Sequence, residues 1–248
     1  MKLRRLLPAP ATVDLAEAYG DLRLGDRAHA DRPWVVANFI SAADGRATWN
    51  GKSGALGGPA DKEIFARLRC AADAILAGTQ TVRVERYGRL VHDPQRRADR
   101  ERQALAPDPV AVLVTRSGDL PLEAPLFADP EQPILVYGPE MLADPPDAIA
   151  PVTVTRLPEV TLAAVLADLR TRHGIRSLLC EGGPSLFAGL LHERVIDELF
   201  LTLAPKLAGG GAAMTITSGP PLPELAALEL ASLHEHDSYL FLRYELRA

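Results

Sequence analysis

Two strand-like runs in this 248-residue chain each end at a glycine turn and lead into a helix-like run, and this recurrence restricts the fold more than any other feature. The first joins Asp73–Leu76 to Gly78-Thr79-Gln80-Thr81. The second joins Ser177–Cys180 to Glu181-Gly182-Gly183-Pro184-Ser185-Leu186, after which Leu186, Phe187, Leu190 and Leu191 recur at helical spacing. Gly182 and Gly183 let the backbone approach a ligand closely, and Pro184 suits the first turn of a helix. The amides around residues 183 to 186 would then face outward at the positive end of a helix dipole, which suits a phosphate. An ordinary strand-to-helix turn is the alternative for either segment. Hydroxyls at the first turn can likewise hold a phosphate or cap the following helix.

Residues 1 to 30 read as a lead-in with a short helix over Asp14–Tyr19, and residues 31–248 read as a single domain. Pro33–Ile40 is β-rich and ends at the turn Asp44-Gly45, and Gly51–Gly58 is a glycine-rich loop. Pro59 opens a helix in which Ile64, Phe65, Leu68 and Ala72 share a face. Val110–Val114 and Ile134–Tyr137 are strands, and Val152–Thr155 is a weaker one. Thr161–His173 is a helix with the stripe Leu162, Val165, Leu166 and Leu169, stopped by Gly174. Glu198–Leu203 and two tail segments within Leu228–Leu246 alternate as strands. Strands and helices interleave without a linker, which predicts an α/β domain around a single mixed sheet flanked by helices, with antiparallel strands at the C-terminal end.

Residues 88–109, with Arg89 among their arginines, read as an exposed loop, either a solvated charge run or a basic flap over a phosphorylated substrate. Thr115-Arg116-Ser117, directly after a strand, is either a plain turn or a clamp for the 2′-phosphate that distinguishes NADP from NAD. The net charge of −5 speaks against nucleic-acid binding. No apolar run is long enough to span a bilayer, and no secretion signal is present, so a cytoplasmic protein is expected. Cys70 and Cys180 read as two buried thiols. A G-x-G-x-x-G fingerprint, a G-x-x-x-x-G-K-[ST] loop, a G-x-S-x-G elbow and the zinc-deaminase motifs are all missing. His234 and His236 share a strand face with no third ligand, and read as surface histidines; no metal is expected.

Taken in order, several runs resemble the reductase domain of riboflavin biosynthesis, a dihydrofolate-reductase-like family. They are Ile40-Ser41-Ala42-Ala43-Asp44-Gly45-Arg46, Leu68–Val82, Glu181–Leu186, Val195-Ile196-Asp197-Glu198-Leu199, Ala204-Pro205 and Gly209-Gly210-Gly211. The likeness begins near Arg32 and runs to the end of the chain. It implies an NADPH-dependent oxidoreductase that reduces 5-amino-6-(5-phosphoribosylamino)uracil at C1′ to its ribitylamino form, and a homodimer. A protonated carbon–nitrogen double bond accepts hydride better, so a carboxylic acid or relayed water should assist. The resemblance puts Ser41, Gly78, Thr79, Thr81 and Gly182, Gly183, Pro184, Ser185 and Leu186 at the cofactor. It puts Arg69 at the substrate, through its phosphate, the alternative being a helix-surface arginine paired with an acid; Ser53 is a further contact, and Glu181 is either a substrate-facing acid or a helix-cap carboxylate. Asp44 is either the acid assisting hydride transfer or a turn residue.

The chain departs from the family at two places. After the threonine turn it reads Val84-Glu85-Arg86-Tyr87-Gly88-Arg89-Leu90, where only Glu85 keeps an acid in register, and Asn38 stands where many members carry lysine. The substrate half is therefore altered and the cofactor half kept. Two alternatives follow: a reductase of the same fold acting on another substrate such as dihydrofolate, or a non-catalytic NADP(H)-binding protein.

Overall fold

The computed structural model describes residues 1–145, 148–210 and 214–247. In chain order the elements are β1 (Lys2–Leu7), β2 (Ala11–Asp14), α1 (Leu15–Tyr19), β3 (Trp34–Ala42), α2 (Pro59–Ala71), β4 (Ala74–Gly78), α3 (Thr79–Glu85) and α4 (Pro94–Arg102). They continue with β5 (Val110–Val114), β6 (Ile134–Pro139), β7 (Val152–Leu157), α5 (Leu162–Thr171), β8 (Ser177–Gly182), α6 (Pro184–His192), β9 (Glu198–Ala204), β10 (Leu228–His236) and β11 (Tyr239–Leu246). By contacts the chain divides into two units, residues 1–22, 35–68 and 184–248 in the first, and 23–34 and 69–183 in the second.

The first unit carries the strand order β2-β1-β10-β11-β9-β3. Every pairing in it is antiparallel except that of β3 with β9. The antiparallel strands expected at the carboxyl end are therefore present. A tight turn at Asp237 and Ser238, both at positive φ, joins β10 to β11, as the twist of a hairpin requires. Ala42, Leu56 and Ala204 pack together beneath the glycine-rich loop. Lys206 Nζ donates to the carbonyls of Ala55 (2.8 Å) and Leu56 (2.9 Å), and Tyr239 Oη also donates to Leu56 (2.9 Å), so side chains tie this loop down.

The second unit is a parallel sheet in the order β8-β4-β5-β6-β7. Ala74–Ala77 and all of β8 are buried, as continuous apolar runs in a parallel sheet should be. On α5 the stripe Leu162, Val165, Leu166 and Leu169 is buried, Thr161 accepts from the Ala164 amide (3.2 Å) as N-cap, and Gly174 takes φ +66° beyond its end.

Four local expectations need correcting. The lead-in supplies β1 and β2 as well as α1. Residues 88–109 are no solvated loop, because they contain α4, and Arg100 on it is fully buried. Its Nη1 donates to the carbonyls of Arg69 (2.9 Å), Cys70 (3.0 Å) and Ala72 (2.7 Å), and its Nε to Ala106 (2.8 Å). A guanidinium that satisfies the orphan carbonyls at the end of α2 is a helix cap supplied from a distant segment. Arg89 is likewise engaged, with Asp108 (2.9 and 2.7 Å) and Glu131 (2.5 Å). Cys70 is only half-buried, whereas burial pushes the Cys180 thiol up to about 12. His234 is buried beside Tyr19, its ring nitrogen 3.3 Å from the phenol, not on the surface.

Candidate active site

In the second unit the parallel strands deliver their carboxyl ends to one edge: Gly182 of β8, Gly78 of β4 and Val114 of β5. The chain leaves β4 toward β5 on one side, while β8 lies on the other. Such a reversal opens a crevice at the strand ends, the usual ligand position in open α/β sheets. Glycines line it. A side-chain carbon added to Gly78 would lie 3.8 Å from both the Gly182 carbonyl and the Gly183 Cα, and one on Gly182 would lie 3.6 Å from Thr81 Cγ2. Gly182 and Gly183 take φ +140° and +85°. Gly183 leads into α6, which has Pro184 as its first residue, followed by exposed Ser185 and half-buried Leu186. Thr79 opens α3, whose N-cap is Gly78 with no side-chain cap, and Glu85 closes it.

At the end of β5, Thr115 Oγ1 accepts from the Gly118 amide (3.0 Å), and Ser117 Oγ accepts from that of Asp119 (3.3 Å). Both hydroxyls thus close the turn, and Arg116 on it is exposed.

The pairing of β8 with β4 slips at the site. Leu76 pairs with Cys180 and Ala77 with Gly182, which leaves Glu181 as an extra residue in a bulge. Bulges re-aim side chains next to functional sites. Glu181 is turned onto Arg69, at the end of α2, whose Nε and Nη2 donate to Oε1 and Oε2, each at 2.6 Å. The Glu181 side chain is 0% exposed and that of Arg69 15%. Burial alone would lower the Arg69 pKa, but the Glu181 charge and hydrogen bonds outweigh it and hold the guanidinium charged. Arg69 Nη1 also donates to the Leu90 carbonyl (3.1 Å). The side-on fork expected to grip a substrate phosphate is therefore spent on Glu181.

Tyr87, which sequence reasoning left out of the site, donates its hydroxyl to Glu181 Oε2 (3.0 Å). Arg86 at φ +51° caps α3 and turns the chain so that Tyr87 follows directly. Its only sequence signal was that it falls in the segment departing from the family.

In the first unit, Asn38 and Ser41 stand on β3 at positions of opposite parity, so they face opposite sides of the strand. Ser41 is buried and donates to the Ala42 carbonyl (2.9 Å), and Ser53 is half-buried in the glycine-rich loop. Asp44 is exposed, and its Oδ2 accepts from the amides of Ala208 (2.9 Å) and Gly209 (2.8 Å). The bond from Gly209 leads the causes that lower its pKa below the ordinary 3.8. A depressed carboxylate contributes stability that is present above the ordinary value and lost as pH falls through the depressed one. Accordingly, acidification in that range, or Asp44→Ala at neutral pH, should speed hydrogen exchange several-fold at Ala208 and Gly209 while global unfolding stays nearly unchanged. Unchanged exchange at both amides would remove Asp44 as the anchor of this loop. Gly211 of the glycine run lies outside the described residues. Among the described residues no three metal-ligating side chains cluster, and no helix is long and apolar enough to cross a membrane.

A sequence model described as the RibD C-terminal domain matches residues 33–241. A 2,5-diamino-6-ribosylamino-4(3H)-pyrimidinone 5′-phosphate reductase from Archaeoglobus fulgidus is 29% identical over 76% of this chain and 87% of its own length. The protein of the same name from Methanothermobacter thermautotrophicus is 28% identical over 87% of this chain and 99% of its own length. Among solved structures, a pyrimidine reductase-like protein from Corynebacterium diphtheriae superposes with a TM-score of 0.75 at 25% identity, over 94% of this chain and 98% of that one. The dihydrofolate-reductase-like architecture expected from the sequence is thus shared with known reductases.

Proposed function

The chain belongs to the RibD C-terminal domain family, and from that premise we propose that it is the NADPH-dependent reductase of a phosphorylated ribosylaminopyrimidine in riboflavin biosynthesis. The observation that carries the reading is the juxtaposition on β8 of a buried, arginine-paired carboxylate and a glycine cradle: Glu181 and Gly182 are consecutive residues.

The cradle fits a dinucleotide. Gly78, Gly182 and Gly183 present no side chain at the carboxyl ends of β4 and β8, which lets a pyrophosphate approach the backbone, and Thr79 and Thr81 place hydroxyls on α3. Ser185 and Leu186, next in the chain, are further cofactor contacts in this reading. Arg116, exposed beside Thr115 and Ser117, is the group to meet a 2′-phosphate, and with it comes the preference for NADPH. Ser41 and Glu85 complete the cofactor contacts in this reading. The chemistry that the bound cofactor supplies is a hydride to C1′ of the ring-opened imine, and one proton at nitrogen completes the amine.

The residues of the chain bind and orient. Arg69 and Glu181 form a buried pair that braces the bulged end of β8 beside the glycine cradle. Asn38 and Ser53 are further substrate contacts. Arg89, locked to Asp108, acts by shaping the segment after Tyr87. Asp44, committed to the Ala208 and Gly209 amides, holds its loop in place. With both carboxylates so engaged, water delivers the proton. We further propose that residues 31–248 act as one reductase domain, in a cytoplasmic homodimer.

The test is NADPH oxidation with each of two pyrimidines, 5-amino-6-(5-phosphoribosylamino)uracil and the 2,5-diamino pyrimidinone for which the archaeal relatives are named. Oxidation that needs both NADPH and one pyrimidine establishes the function, and the faster one identifies the substrate. NADPH binding without turnover of either would overturn the riboflavin reading, and dihydrofolate would be tried next.

A further inference from the structure

We propose that Arg83 is a positioning residue for cofactor choice: it occupies the carboxylates of Asp119 and Glu123 and so leaves Arg116 unpaired for a 2′-phosphate. The proposal rests on the reductase reading above, in which Arg116 meets that phosphate, and adds a residue that itself touches no ligand. Arg116 is exposed on the turn after β5, and its side chain makes no hydrogen bond or ion pair among the described residues. Two acids, Asp119 and Glu123, follow it closely in the chain. Left alone, they would be drawn to its guanidinium, since opposite charges attract over several ångströms even at a surface. Arg83, on α3, takes both. Its Nη2 and Nη1 donate to Asp119 Oδ1 (3.0 Å) and Oδ2 (3.1 Å), and its Nε donates to Glu123 Oε1 (2.8 Å).

The turn itself holds Asp119 where Arg83 reaches it. Thr115 Oγ1 accepts from the Gly118 amide and Ser117 Oγ from the Asp119 amide, so hydrogen bonds close the chain around Arg116 and leave its side chain outside them. A further bond, from Arg83 Nη1 to Gln80 Oε1 (3.4 Å), ties the guanidinium back to its own helix. Both acids are exposed, and ion pairs in that setting add little to stability. Their consequence is electrostatic. A phosphate monoester carries more than one negative charge at neutral pH, and two uncompensated carboxylates beside Arg116 would both compete for that arginine and repel the phosphate. The guanidinium of Arg83 removes both effects.

Calorimetric titration with NADPH and with NADH, which lacks the 2′-phosphate, compares wild type with Arg83→Met and with Arg83→Met/Asp119→Asn/Glu123→Gln. Wild type should bind NADPH the more tightly. Arg83→Met should bind NADPH about tenfold more weakly, with NADH affinity changed less than about twofold and the unfolding temperature nearly unaltered. Neutralising the two released acids in the triple variant should bring NADPH affinity back to within about threefold of wild type. An Arg83→Met protein that keeps the full NADPH preference overturns the proposal. So does a loss shared equally by NADH, or one that the triple variant fails to recover, since either marks Arg83 as a purely structural residue. Wild type that binds both dinucleotides alike, or neither, overturns the cofactor reading itself, and the proposal falls with it.

Discussion

Replacing Arg69 with alanine should abolish turnover and also destabilise the fold by about 3 kcal/mol, the lower end of the cost of leaving one partner of a buried ion pair alone. Glu181 has a fully buried side chain, and its carboxylate takes two charge-assisted hydrogen bonds of 2.6 Å from this guanidinium. After truncation, the tyrosine hydroxyl is its remaining donor among those described above. Two charges taken out of water together need each other more than the fold needs either. The decisive comparison is therefore the double variant Arg69→Met/Glu181→Leu, which removes both charges and retains apolar volume. Its unfolding free energy in urea should return to within about 1 kcal/mol of wild type, whereas activity stays lost, because the pair shapes the end of β8 more than it stabilises the fold. Additive losses in the double variant would mean that the two residues do not act as a pair. A single Arg69→Ala no worse than a surface change would mean that Glu181 is not the buried charge it is here.

The framework of the second unit was readable because its rules are local. A run such as Leu178-Leu179-Cys180 bounded by glycine allows few alternatives to a buried strand, and the stripe on α5 identifies its own buried face. What escaped reading is non-local. Nothing within residues 88–109 announces that Arg100 will be drawn under the end of α2, since its acceptors are carbonyls about thirty residues upstream. The charge-rich composition suggested solvent, and tertiary hydrogen bonding prevailed over it. The same limit applies at the site. Arg69 stood between a substrate phosphate and a paired acid, and Glu181 between the substrate and a helix cap. Sequence shows what a side chain can bind and not which partner claims it; here each has claimed the other. Asp44 illustrates the reverse case: the turn role weighed equally with the acid role, and two amides of a loop more than 160 residues further on occupy its carboxylate.

Substituting alanine at Gly78 should weaken NADPH binding by about a hundredfold while lowering stability by less than about 1 kcal/mol, the cost of alanine for glycine at the N-cap of α3. The backbone there is φ −71°, ψ 146°, open to any residue, so the change introduces no strain. The new methyl would lie 3.8 Å from the Gly182 carbonyl and the Gly183 Cα, ordinary contact distances that require no part of the protein to move. Its main effect is to occupy the space at the ends of β4 and β8, and a hundredfold corresponds to about 2.7 kcal/mol of lost cofactor contact. Gly183→Ala provides the contrast. At φ +85° it forces a side chain into a conformation that costs roughly 1–2 kcal/mol, so its unfolding midpoint should fall whether or not cofactor is present. Calorimetric titration with NADPH, alongside urea unfolding of both variants, separates exclusion of a ligand from strain in the protein. If Gly78→Ala binds NADPH as wild type does, the pyrophosphate does not lie between these strand ends, and the glycines there serve the close approach of the two backbones alone.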